Sequence, residues 1–236
     1  SADNIYSRGP HFYIYVIMYF GAILYLSAST VITAREFQNR SRLLIYPLIL
    51  FVMAETIIQV ALPELHVTWL CVTLLSVLYF IYCSEMWNQL DALTGLLNQN
   101  SYLKQTGGVR CKGGVLVVFD VDDFKQINDR YGHIQGDLCL AGIAECIKKS
   151  YANFGYCYRI GGDEFCVLLK NGGNEGRCKQ EFLQRLQEKR GEIAFLPTVS
   201  YGSAPFSGED IVKVKDRADQ DMYQYKKERK NRKRLS

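Results

Sequence analysis

The sequence lacks any Cys-x-x-Cys pair, its eight cysteines standing at 71, 83, 111, 139, 146, 157, 166 and 178. That spacing supports neither a zinc pattern nor a compact disulfide framework. With Cys71 and Cys83 inside apolar runs, the thiols read as reduced, buried side chains in a cytosolic redox environment. A basic leader is also missing from Ser1 to Pro10, so no signal peptide is visible there. Nor is there a broad basic surface. The net charge of +4 is concentrated in the run Lys226 to Arg234, and the remainder is close to neutral. Duplex nucleic acid is therefore not an expected partner. The basic run itself reads as a solvated helix end, or as a patch facing phosphates or anionic lipid. No internal repeat or low-complexity segment is evident.

Charge is scarcest in the first third. Residues 11–34 and 66–83 have no charged side chain, and 43–62 have Glu55 alone. A helix needs ~20 apolar residues to cross a bilayer, so three transmembrane helices are expected over about 11–34, 43–62 and 66–83. A buried helical core of a soluble domain is the competing reading. Arg35, Arg40 and Arg42 place the first connection in the cytoplasm, and Pro63-Glu64-Leu65, without lysine or arginine, places the second outside. The N-terminus is then outside and everything after Cys83 cytoplasmic, which implies that earlier spans precede this sequence. Glu55, with Gln59 one turn later, is either functional or paired with a polar group of another helix. Residues 84–90 read as a short stalk. The expected organisation is a membrane region over 1–90 and a cytoplasmic domain over 91–236, in a multi-pass protein of the inner or plasma membrane.

Beyond the stalk the chain alternates strand and helix. Gly113 to Val121 is a buried-strand run, Asp123 to Tyr131 is helical, and Gly132 and Gly136 break it before a longer helix from Gly136 to Tyr151. A hairpin is expected around Gly161-Gly162, with apolar and aromatic flanks. Gln180 to Arg190 is an amphipathic helix, Phe195 to Gly202 a strand, and Asp210 to about Glu228 a final helix. The order predicts an α/β fold, an α+β sandwich with a mixed, ferredoxin-like sheet.

Two stretches carry the chemistry. In Arg159-Ile160-Gly161-Gly162-Asp163-Glu164-Phe165, bare backbone that a phosphate can approach lies beside two carboxylates able to hold a divalent metal. A solvated turn is the plainer reading. In Phe119-Asp120-Val121-Asp122-Asp123-Phe124-Lys125-Gln126-Ile127-Asn128-Asp129, Asp120 ends an apolar strand at the sheet's carboxyl edge, where α/β folds bind ligands. Asp122 or Asp123 is placed to cap the next helix, and Lys125 lies in its first turns. If that strand lies beside the hairpin, Asp120 and Asp163 converge.

These two stretches, with Tyr131-Gly132-His133-Ile134-Gln135-Gly136-Asp137 between them, resemble the GGDEF-domain diguanylate cyclases. Asp91-Ala92-Leu93-Thr94-Gly95-Leu96, Val199-Ser200-Tyr201-Gly202 and Ala218-Asp219-Gln220-Asp221-Met222-Tyr223 extend the resemblance over about Asp91 to Arg232. It implies a nucleotide-cyclase-like fold and condensation of two GTP into cyclic di-GMP with release of pyrophosphate, by a homodimer. By position it implies Mg²⁺, with Mn²⁺ as an alternative, on Asp120, Asp163 and the Val121 carbonyl. Glu164 would act on the attacking 3′-hydroxyl. Gly161 and Gly162 would admit the α-phosphate, and Lys125, Lys226 and Lys230 would meet the other phosphates. Asn128 and Asp137 would read guanine, whose N1–H and 2-amino groups suit a carboxylate.

The sequence departs from relatives at three places. An Arg-x-x-Asp product-inhibition site is replaced by Ala152-Asn153-Phe154-Gly155. Asn98-Gln99-Asn100 lacks an arginine with which Asp91 would pair, and Lys230 keeps a charge without the bidentate fork of arginine. The competing functions are a catalytically inactive GTP- or cyclic-di-GMP-binding signalling module and a fragment of a small-molecule transporter. His133 reads as structural.

Overall fold

The structure, a computed structural model, describes residues 68–107, 113–170 and 172–235, with scattered helical positions between 13 and 28 and between 50 and 58. The chain divides into two compact units, 1–87 and 88–236. In the first, helix α1 spans Thr68–Trp87. Among the described residues no helix is long and apolar enough to cross a membrane. The spans expected at 11–34 and 43–62 fall largely outside the described residues, as do Glu55 and Gln59.

The second unit contains α2 (Gln99–Thr106), β1 (Gly114–Val121), α3 (Phe124–Tyr131), α4 (His133–Tyr151), β2 (Gly155–Arg159), β3 (Glu164–Leu169), α5 (Glu175–Glu192), β4 (Val199–Phe206) and α6 (Ile211–Leu235). The four strands form one sheet in the order β2-β3-β1-β4. Every pairing is antiparallel, where the sequence suggested a mixed sheet. The crossover through α3 and α4 does set β2 parallel to β1, but the β2–β3 hairpin inserts β3 between them. The parallel pair therefore never becomes adjacent. A single parallel bridge joins Leu97 to Tyr158 at the sheet margin.

Strand β1 is central, which is why it reads as an unbroken apolar run. Its alternate residues feed two cores. Val115, Val117, Phe119 and Val121 pack with Leu140, Ile143 and Ile147 of α4 and Phe182 and Leu186 of α5. Phe119 meets Tyr151 and Phe182 edge-on at centroid distances of 5.7 and 5.1 Å. Leu116 and Val118 pack on the other face with Tyr102, Tyr158, Cys166, Val214 and Ala218. Helix α6 lies so close to β4 that a Cβ on Gly202 would collide with the backbone of Ala218 and Met222. The cysteines of this sandwich, Cys139, Cys146, Cys157, Cys166 and Cys178, are buried and form no disulfide.

Several element boundaries differ from the sequence reading: α5 begins at Glu175 rather than Gln180, β4 runs on to Phe206, and α6 runs on to Leu235. Gly136 does not interrupt a helix. The break is at Gly132 (φ 85°), and α4 begins at His133. The missing side chain of Gly136 instead makes room for the Asn128 amide of α3. Strand β4 begins at Val199 rather than Phe195, because Pro197 offers no N–H to a ladder and Phe195 stacks on Tyr131 at 4.9 Å. Helix α2 is not anticipated by any apolar periodicity. Asn98 caps it, accepting from Ser101 N–H at 3.0 Å.

Candidate active site

The register of the sheet assembles the site. Strands β1 and β3 pair with Asp120 opposite Glu164, and the N–H of Val121 donates to the Asp163 carbonyl at 3.2 Å. The two stretches singled out in the sequence therefore meet at one corner, Asp120 at the end of β1 and Asp163-Glu164 at the start of β3. Parity places Asp120 on the α6 face with Leu116 and Val118. There Lys226 of α6 reaches it, Nζ to Oδ1 at 2.5 Å. Burial alone would lower the pKa of this ammonium, but its contacts with Asp120 and then Asp122 outweigh that, and it rises.

Asp122 is less exposed than Asp120, with 12% of its side chain accessible against 22%. Its Oδ2 accepts from Thr198 Oγ1 and its Oδ1 from Ser200 Oγ, both at 2.7 Å. Arg229 Nη1 donates to Oδ2 at 3.2 Å, and Lys226 Nζ lies 3.4 Å from Oδ1. It does not cap α3. Asp123 holds the N-cap position in a left-handed conformation (φ 55°), without a side-chain cap bond. The sequence reading missed Asp122 as a junction and Arg229 as a member of the site. One available signal was parity, since Asp122 is two residues beyond Asp120. Another was helical spacing, since Arg229 is three beyond Lys226.

The hairpin tip is not a tight two-residue turn. The N–H groups of Ile160 and Gly161 both point to the Glu164 carbonyl, at 3.0 and 3.3 Å, and neither Gly161 nor Gly162 has positive φ. What glycine contributes is bare surface. The Glu164 side chain covers Gly161, where a Cβ would stand 3.0 Å from Oε2, and Gly162 faces open space. Arg159, also missed, braces the tip. Its Nη2 donates to the Gly162 carbonyl at 2.7 Å, and Nη1 reaches the Asp91 carboxylate at 3.1 and 3.3 Å. Asp91, left without its expected arginine, thus finds another. Burial pushes the Asp91 carboxyl up, but bonds from the Thr94 hydroxyl and N–H and from Arg159 prevail and hold it below the ordinary range.

The remaining candidates lie on α3 and α4. Lys125 is exposed in the first turn of α3, and Asp137 is exposed near the start of α4. Asn128 Oδ1 is buried against Gly136 with no hydrogen-bond partner among the described residues. The backbone of Lys230 belongs to α6, but its side chain lies outside the described residues.

Among the described residues no group of three or more His, Cys, Asp or Glu is gathered to hold a metal. The corner does offer Asp120, Asp163 and the Val121 carbonyl, all hard oxygen donors. Mg²⁺ is typically held by one or two carboxylates plus substrate phosphates rather than by an all-protein cage. The donor set fits that pattern.

Comparison with known proteins agrees with this geometry. The family described as "Diguanylate cyclase, GGDEF domain" matches residues 88–232. Diguanylate cyclase DgcS of Shewanella oneidensis is 32% identical over 154 residues, covering 62% of this chain and 52% of that protein. Diguanylate cyclase DgcP of Pseudomonas aeruginosa is 35% identical over 159 residues, 60% of this chain and 23% of that protein. The chain spans about half or less of the length of such relatives, 30%, 52% and 40% of three of them. Among solved structures, the coiled coil and GGDEF domain of DgcB from Caulobacter crescentus, in complex with c-di-GMP, superposes with a TM-score of 0.54 at 24% identity. It covers 68% of this chain and 93% of that one, and supports the fold. The chain belongs to the GGDEF-domain family of diguanylate cyclases.

Proposed function

We propose that the protein condenses two GTP molecules into cyclic di-GMP, releasing two pyrophosphates. The observation that carries this is the juxtaposition of Asp120 with Asp163 and Glu164 through the β1–β3 register. Forming each bond requires the 3′-hydroxyl of one nucleotide to attack the α-phosphate of the other, with pyrophosphate leaving. Such phosphoryl transfer is driven by positioning and charge neutralisation more than by covalent help.

The chain's residues divide that work. Glu164, exposed at the first position of β3, orients the 3′-hydroxyl and accepts its proton. Gly161 and Gly162 admit the α-phosphate to bare backbone. Lys125 and Lys226 meet the terminal phosphates, and Lys230 is a further candidate. Asp137 accepts from the N1–H and 2-amino groups of guanine. Asn128, whose Oδ1 is buried, reads the base through its amide N–H groups. Asp120, Asp163 and the Val121 carbonyl would hold Mg²⁺ or Mn²⁺, which supplies charge neutralisation at the phosphate oxygens.

One site holds one nucleotide, so two chains must face each other, and a homodimer is the working unit. The stretches 11–34, 43–62 and 66–83, which hold a single charged residue between them, favour a multi-pass anchor in the inner or plasma membrane with the cyclase unit in the cytoplasm. Retention of Asp120, Asp163 and Glu164 disfavours a catalytically inactive binding module.

The test is incubation of purified protein with GTP and Mg²⁺, the product being identified by mass. Cyclic di-GMP from the wild type and none from Asp163→Ala is the expected result. No cyclic di-GMP from a dimeric wild-type sample would overturn the assignment.

A further inference from the structure

The last helix brings a second cation to the corner. Lys226 and Arg229 lie three residues apart, so they share one face of α6. Both end on the carboxylates that close β1, Lys226 on Asp120 and Asp122, Arg229 on Asp122. Arg229 Nη1 also donates to the Val199 carbonyl at 3.4 Å, and its Cζ stands 5.8 Å from the centroid of the Tyr225 ring. The guanidinium is thereby fixed beside Asp122, the residue that leads from β1 into α3. Its bonds to Asp122 and Val199 both leave from Nη1, and a guanidinium carries five N–H donors in a planar fork suited to two oxygens at once.

Charge at the corner points the same way. Arg190 of α5 donates to the Pro197 carbonyl at 3.3 Å. Burial, and then the charge of Arg229, disfavour its cationic form. Lys226 and Arg229 end on Asp120 and Asp122, and the charges of Arg229 and Asp122 both act on Arg190. A divalent cation on Asp120 would add positive charge beside these three side chains, and an anionic ligand at Arg229 would offset it.

We propose that Arg229 binds the terminal phosphates of the nucleotide beside Lys226, with Asp122 holding its guanidinium in position. This rests on the reading of the protein as a GTP-using cyclase and adds a phosphate-binding residue to it.

The test measures equilibrium binding of GTP, inorganic pyrophosphate and GMP, each with Mg²⁺, to the wild type, Arg229→Gln, Arg229→Lys and Lys230→Gln. Loss of charge-assisted hydrogen bonds should weaken GTP and pyrophosphate binding to Arg229→Gln roughly 10- to 100-fold. GMP, which lacks the terminal phosphates, should bind as to the wild type, and Arg229→Lys should recover part of the loss. If Arg229→Gln weakens GMP as much as GTP, the residue merely braces α6 and the proposal fails. It fails equally if Arg229→Gln binds all three ligands normally while Lys230→Gln loses GTP. Absence of cyclic di-GMP from the wild type would sink the cyclase reading, and the pyrophosphate arm would still decide the role of Arg229.

Discussion

Asp122 gathers two hydroxyls, a guanidinium and an ammonium onto one carboxylate. Replacing it with asparagine keeps the shape, removes the charge, and turns an N–H₂ group toward donors. Breaking a partly buried, charge-assisted network of this kind costs about 1–3 kcal/mol. Urea denaturation of Asp122→Asn should show that loss. The variant's KM for GTP should rise more than its kcat falls, because Lys226 and Arg229 lose their support while Glu164 is untouched. The role was illegible locally. Thr198, Ser200 and Arg229 lie 76, 78 and 107 residues downstream, and neighbouring sequence offers only helix capping. Asp120, Asp163 and Glu164, by contrast, stand out because carboxylates at a strand end and a hairpin tip are conspicuous against apolar flanks.

At the scale of elements, the β2–β3 hairpin is held to the turn that opens the unit by Arg159, which grips the Gly162 carbonyl and Asp91 together. Because Asp91 titrates below the 3.8 of an unperturbed aspartate when folded, its contribution to stability is complete above that value. It fades as pH falls through the lower folded value, when the unfolded chain binds the proton more readily. Asp91→Asn should therefore lose stability at pH 7 and lose less than the wild type on acidification, as followed by urea midpoints between pH 7 and pH 3. The α6–β4 contact makes a second prediction. Gly202→Ala forces a methyl group into the backbone of Ala218 and Met222, and should destabilise the domain by roughly 1–3 kcal/mol in the same assay. Strands and long helices could be read from apolar periodicity. The start of β4 and helix α2 could not, since one depends on Pro197 and Phe195 being used elsewhere and the other on a cap from Asn98.

For the whole molecule, the proposed reaction needs two copies of the corner that this sheet builds. The sequence order of strands and helices was sufficient to foresee the sandwich, but not that the hairpin would separate β1 from β2 and leave a wholly antiparallel sheet. Ala152, Asn153 and Phe154 form the turn between α4 and β2, with Phe154 packed on the core, so neither a guanidinium nor a carboxylate stands there. Cyclic di-GMP added to the reaction should not inhibit through this segment, and Phe154→Leu should leave the inhibition curve unchanged.

The most direct check on the two-half-sites account is turnover per chain as a function of chain concentration, with cyclic di-GMP and pyrophosphate measured together. Two pyrophosphates per cyclic di-GMP, and turnover that falls as dilution separates the dimer, are the expected results. Undiminished turnover per chain from a demonstrably monomeric sample would contradict the account.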